Sequence, residues 1–134
     1  MLKKLVFIGM IFVSSLFADF STLTTQQVKD AMKNGVQVID IRRVDEFKQY
    51  GIIKGSHKLT FFDSRGKYNI DKWMKEFTKI VKTKDQPFIL LCAHANRSKV
   101  VAKFLADQAG YTNVNELKGG IMYGWIDKGN PTVK

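Results

Sequence analysis

The sequence predicts an α/β fold: a central parallel β-sheet of about five strands with helices on both faces. Three observations carry that reading. VQVIDI at 36–41 and PFILLC at 87–92 are near-continuous apolar runs, the pattern of strands buried on both faces. Segments with apolar residues at helical spacing alternate with them, and such alternation implies crossover-linked parallel strands. At 134 residues the chain has room for one domain with its own core and no second one.

In chain order, TTQQVKDAMKN at 24–34 opens on a Thr suited to cap a helix and stops at Gly35, a good terminator. VQVIDI follows as a buried strand, and a short helix is expected over Val44 to Tyr50. Gly51, Gly55 and Gly66 punctuate an irregular middle that holds one brief apolar stretch, His57 to Phe62. Next, Ile70, Trp73, Met74, Phe77, Ile80 and Val81 form a helical stripe for the core, with Lys72, Lys75, Lys79 and Lys82 as a solvated row opposite. After PFILLC, AHANRSKVVAKFLADQAG offers Val100, Val101, Phe104 and Leu105 as its apolar face and ends at Gly110. TNVNEL at 112–117 is a short strand candidate. Gly119 and Gly120 then lead into a terminal helix-like stretch with Met122, Tyr123 and Trp125.

Residues 1–18 read differently from the rest. Lys3 and Lys4 precede an apolar run from Leu5 to Phe17 that closes on Ala18 before Asp19, the arrangement of a secretory signal. The run is shorter than the roughly 20 apolar residues a spanning helix needs. Cleavage after Ala18 is therefore expected, leaving a domain of residues 19–134 in the periplasm or otherwise exported. A membrane association is expected only if the segment stays uncleaved. The segment holds two lysines and no acid, so the chain's +10 falls only to +8 without it. The domain itself is basic and should attract anions. With 45% hydrophobic residues, 25% charged and 2 Pro against 10 Gly, it is neither disordered nor collagen-like.

The single cysteine excludes an intramolecular disulfide and any Cys-rich zinc module. Two His and one Cys also make a poor metal site, so no metal is expected. Cys92 ends a buried strand, and Arg97 stands at the start of the next helix with Ala93, His94, Ala95 and Asn96 between them. That is where ligands bind in open α/β sheets. Backbone N–H groups of such a tight loop can converge into a concave nest, and the helix start adds its positive end. The nest, the helix start and Arg97 all favour negative charge on the sulfur. Ala93 and Ala95 leave the amides open, His94 is expected to line the pocket, and His57 to be a sheet or surface residue. The plain alternative is a cysteine that simply packs as a small hydrophobe.

IDIRRVDEF at 39–47, GIIKGSHKL at 51–59, LLCAHANRS at 90–98 and LKGGIMYGW at 117–125 fall in the order of a known family. Over most of residues 19–134 the chain resembles the rhodanese-like domains. The resemblance implies a sulfurtransferase that moves a sulfane sulfur from thiosulfate or a persulfide donor to a thiol or cyanide acceptor through a persulfide on Cys92. It implies residues 93–97 as the loop whose amides cradle the persulfide, Arg97 as the arginine that closes it, and Asp40, Arg42 and Ser98 as supports behind it. Glu46 and Trp125 match as fold determinants. No cofactor and no nucleic acid is implied. The chain departs from the family in two places. Ala95 stands where Gly is usual, which would strain any left-handed backbone there, and Asn96 beside it tolerates such angles better. Ala93 follows the nucleophile where Arg is frequent, which removes one anion-binding charge. Four residues between Cys92 and Arg97 resemble the sulfurtransferases, whereas the related phosphatases and arsenate reductases carry five. The competing readings are a non-catalytic binding module and a thiol-redox partner of an exported oxidoreductase.

Overall fold

The computed structural model of the protein describes residues 19–134; the expected export signal at residues 1–18 lies outside the described residues. Five strands, β1 (Ser21–Leu23), β2 (Gln37–Asp40), β3 (His57–Lys58), β4 (Phe88–Leu91) and β5 (Val114–Leu117), form one sheet in the order β1-β5-β4-β2-β3. Every pairing is parallel. The helices are α1 (Thr25–Lys33), α2 (Val44–Tyr50), α3 (Ile70–Ile80) and α4 (Asn96–Asp107), and a π-helical turn, Met122–Ile126, closes the fold. Among the described residues no helix is long and apolar enough to cross a membrane.

β4 lies at the middle of the sheet, and each of its four residues is buried. Its side chains alternate between two cores, as the period of a strand demands. Phe88, Leu90 and then Cys92 point into a core shared with Trp73 and Phe77 of α3 and Val101 and Leu105 of α4. Ile89 and Leu91 face the other core, with Val28 of α1, Leu117, Ile121 and Trp125. Helices thus cover both faces, and the continuous apolar run is explained by two buried sides. At roughly 1.5–3 kcal/mol for each large apolar side chain withdrawn from water, β4 is the most firmly anchored strand. Its C-terminal end is correspondingly fixed, and Cys92 follows it directly.

Local chemistry places the helices where the sequence indicated. Thr24 Oγ1 accepts the Gln27 amide while Gln27 Oε1 accepts the Thr24 amide, a reciprocal cap for α1. In α3, Trp73, Phe77 and the following Val81 are buried, whereas Lys72, Lys75, Lys79 and Lys82 are exposed.

The structure corrects one expectation, adds a strand and refines the end of the chain. β1 is a strand that the sequence pattern after residue 18 did not announce; it is three residues long and lies at the sheet edge, so it needs little apolar character. Val100 does not belong to the buried face of α4, being 61% exposed. That face is Ser98, Val101, Ala102, Leu105 and Ala106, in which two alanines let the helix lie close to the sheet. The terminal helix-like stretch is a π-helical turn; Trp125 is buried, its Nε1 donating to the Pro131 carbonyl, and Tyr123 faces solvent.

Candidate active site at the end of strand β4

Cys92 is buried and sits on the α4 side of the sheet. The Ser98 amide donates to its Sγ at 3.3 Å, and Sγ lies 3.5 Å from Ser98 Oγ, within reach for a thiol donor. One inward-pointing amide therefore meets the sulfur directly. Among the described residues the amides of His94, Ala95, Asn96 and Arg97 donate to no protein acceptor. They are the orphan donors that precede and open α4, the composition of an anion-binding nest. The sulfur is not packed only in apolar surroundings, which sets it apart from an inert core cysteine.

The turn between strand and helix is closed by a left-handed residue. Ala95 has φ +69°, the one non-glycine residue with positive φ among those described. The strained position falls on Ala95 itself, while Asn96 already belongs to α4. On the other side the loop is held by the chain after β5. The Ile121 amide donates to the Cys92 carbonyl at 2.9 Å and the Met122 amide to the Ala93 carbonyl at 3.0 Å. A side chain at Gly120 would collide with both of those carbonyls, its Cβ running into the Ala93 oxygen and falling 2.7 Å from that of Cys92. The sequence marks Gly120 only as part of a glycine pair; its close approach to the loop is visible only in three dimensions.

The charged supports are arranged as pairs. Arg42 and Asp40 are fully buried: Nε and Nη2 of the guanidinium fork onto both carboxylate oxygens, with the shortest contact 2.6 Å. Nη2 also donates to the Gly51 carbonyl at 2.8 Å, and Thr60 Oγ1 donates to the Arg42 carbonyl. The pair is no surface ion pair; it binds the end of β2 to the segments at residues 51 and 60. Burial pushes the Asp40 carboxyl above its ordinary range, against the opposing pull of Arg42. A buried pair of this kind holds geometry more than it adds stability.

Arg97 is bound in the same manner. Its Nη1 and Nη2 donate to Glu46 Oε1 and Oε2 at 2.6 and 2.7 Å. Glu46 also accepts the Arg43 amide, capping the start of α2. Glu46 is thus more than a fold determinant, since it ties α2 to the start of α4. Burial alone would raise the Glu46 carboxyl, but the Arg97 fork, the Arg43 amide and both guanidinium charges hold it below its usual range. The Glu46 hydrogen bonds raise Arg97 against its burial, and the Glu46 charge adds to them. Arg97 stands in the first turn of α4 with its charge already matched by Glu46. An open cleft of about 400 Å³ lies over it, lined by Arg43, Phe62, Ser64, Asn96 and Val100 among others. Val100 is exposed at that lip.

His94 is exposed and lies against Tyr123, their ring centroids 4.7 Å apart. His57 is half-buried in β3, hydrogen-bonded to Gln37. Sequence reasoning missed one group altogether. Glu116 of β5 is fully buried on the Cys92 side, 3.4 Å from Ser98 Oγ through Oε1 and 2.8 Å from Lys99 Nζ through Oε2. A lone acid among the four residues of that strand, between Asn115 and Leu117, was the available signal.

Residues 24–127 match the model of the rhodanese-like domain. Among characterised relatives, the chain is 32% identical over 103 residues to the thiosulfate sulfurtransferase GlpE of Ectopseudomonas mendocina, covering 77% of this chain and 83% of that protein. It is 31% identical over 99 residues to the rhodanese domain-containing protein CG4456 of Drosophila melanogaster, covering 72% and 88%. Of solved structures, a Rhodopseudomonas palustris protein described as a possible tyrosine phosphatase superposes with a TM-score of 0.64 at 29% identity, with 85% of each chain covered. A rhodanese-related protein of Thermoplasma volcanium superposes with a TM-score of 0.63 at 26% identity, covering 85% of this chain and 98% of that one. The sheet order, the strand-end cysteine and these likenesses agree: the chain belongs to the rhodanese-like domain family.

Proposed function

We propose that the protein is a sulfurtransferase that carries sulfane sulfur on Cys92. The observation that supports it most directly is the Ser98 amide aimed at Sγ, beneath a loop whose next amides have no protein acceptor. Such a site suits a sulfur that carries negative charge. In the first half of the reaction the Cys92 thiolate attacks the sulfane sulfur of thiosulfate or of a persulfide donor. The new S–S bond forms as the donor's S–S bond breaks, and sulfite or the donor thiolate leaves with the electron pair. In the second half a thiol or cyanide attacks the outer sulfur and Cys92 departs as thiolate. Residues 93–97 cradle the outer sulfur, Arg97 closes the loop, and Asp40, Arg42 and Ser98 fix its base. Names of relatives support thiosulfate as donor. Four residues between Cys92 and Arg97 fit a terminal sulfur better than a tetrahedral oxyanion, which favours sulfur transfer over phosphate-ester hydrolysis.

Mass spectrometry after exposure to thiosulfate should show the chain heavier by one sulfur atom, and Cys92→Ser should abolish both this adduct and transfer to cyanide. If the wild type never gains the sulfur, or if the serine variant still transfers it, the proposal is wrong. Residues 1–18 are proposed to direct export, so protein recovered from a bacterial envelope should begin at Asp19.

A further inference from the structure

Among the described residues, the charges around Cys92 are matched so completely that an anionic sulfur finds no free cation. Arg97 is forked to Glu46, Arg42 to Asp40 and Lys99 to Glu116. Further along α4, Lys103 pairs with Asp107, and the His94 ring is exposed against Tyr123. β1 and β4, which flank β5, bring no charged side chain to Glu116. From the buried sulfur one hydrogen-bond chain leads outward: Cys92 Sγ to Ser98 Oγ at 3.5 Å, Ser98 Oγ to Glu116 Oε1 at 3.4 Å, and Glu116 Oε2 to Lys99 Nζ at 2.8 Å. Cys92, Ser98 and Glu116 are all buried, whereas the Lys99 side chain is 49% exposed.

We propose that Glu116, acting through Ser98, receives the proton of the Cys92 thiol when the sulfur becomes anionic. The S–H bond breaks as its proton passes to Ser98 Oγ, and the Ser98 hydroxyl proton passes to Glu116 Oε1. Before the step the cluster holds a thiol, a carboxylate and an ammonium; after it, a thiolate, a carboxylic acid and the same ammonium. Its net charge is unchanged, and Lys99 is freed from its carboxylate to balance the sulfur. That makes the step affordable in a buried setting, where an uncompensated charge is heavily disfavoured. Thiosulfate and sulfite carry the same charge, so the proton stays on Glu116 while the persulfide exists and returns when the outer sulfur is removed. Glu116 is therefore a positioning residue for the sulfur chemistry. The inference rests on the sulfur-transfer reading for its purpose, but not for its test.

The test is the rate of Cys92 alkylation by iodoacetamide against pH, which needs no sulfur donor. Glu116→Gln, of nearly the same shape, should slow alkylation about tenfold or more near neutral pH and converge with the wild type in alkaline buffer, where hydroxide removes the proton instead. Ser98→Ala should give the same profile, Ser98→Thr should restore the wild-type one, and Glu116→Gln with Ser98→Ala should lose no more than either alone. Equal or faster alkylation of Glu116→Gln at neutral pH would overturn the proposal, because a mere buried negative charge disfavours the thiolate. Losses that multiply in the double variant would overturn it as well. Should Glu116→Gln not fold, Ser98→Ala and Ser98→Thr still cut and restore the route, and their agreement with the wild type would sink it. A wild type that alkylates as described yet never gains sulfur would refute the sulfurtransferase and leave the proton route standing.

Discussion

Ala95 is the residue at which the loop conformation and the side chain disagree. A left-handed backbone disfavours an L residue by about 1–2 kcal/mol, while glycine in its place loosens the unfolded chain by about 0.4–1 kcal/mol. Ala95→Gly should therefore stabilise the protein by about 0.5–1 kcal/mol, read as a higher urea midpoint at unchanged slope; an unaltered or lower midpoint would show that the loop is not strained there. Gly120 presents the opposite case. An added Cβ meets the backbone carbonyls of Ala93 and Cys92, which cannot yield without moving the loop. Gly120→Ala should weaken the fold by about 1–3 kcal/mol and suppress sulfur transfer. Gly55→Ala is the control, since its φ of +87° imposes comparable strain with open space around the new methyl. If both variants lose activity equally, contact with the loop is not the cause. These residues differ in how far the sequence disclosed them. Cys92 and Arg97 follow from position between a strand and a helix, and the strain at residue 95 from the family resemblance that puts glycine there. Glu116 does not, because a single acid in a short strand reads as solvent-facing until the register with Leu90 puts it inside.

At the level of elements, α2 and α4 are joined by Glu46 and Arg97, which are 51 residues apart. The folded state lowers the Glu46 carboxyl, so the pair's contribution is complete above the unfolded value near 4.5 and is lost as pH falls below it. The difference in unfolding free energy between wild type and Glu46→Gln should thus be largest at neutral pH and shrink toward pH 3. Asp40, raised by burial, acts in the reverse sense but is common to both proteins and cancels in the difference. A difference that stays constant from pH 7 to pH 3 would show that Glu46 contributes no charge interaction. The elements themselves were legible wherever local signals were strong. The cap at Thr24, the stripe of α3 and the two-sided apolar run of β4 each depend on neighbours close in sequence. β1 and the exposure of Val100 depend on edge pairing and on how closely two alanines let α4 approach the sheet, and no local pattern encodes either.

For the whole molecule the decisive quantity is charge. Residues 19–134 carry +8, and the pairs around Cys92 are individually neutral, so the excess lies on outer surfaces such as the exposed lysine row of α3. Surface charge of this kind raises the local concentration of an anionic donor without contributing to the chemical step. Its reach is the Debye length, roughly 30 Å at 0.01 M salt and 8 Å at 0.15 M. With thiosulfate as donor, kcat/KM should fall several-fold between those ionic strengths, while turnover at saturating thiosulfate stays nearly constant. Replacing Lys72, Lys75, Lys79 and Lys82 by glutamine should flatten the salt dependence if steering comes from that face. Because these side chains are exposed, the variant should keep its fold and its saturated rate. A neutral organic trisulfide offered as donor should show no salt dependence in either protein. If kcat/KM for thiosulfate is equally flat in the wild type, the basic surface serves something other than capture of the anionic donor. The proton route through Glu116 would be unaffected, since it operates inside a neutral cluster.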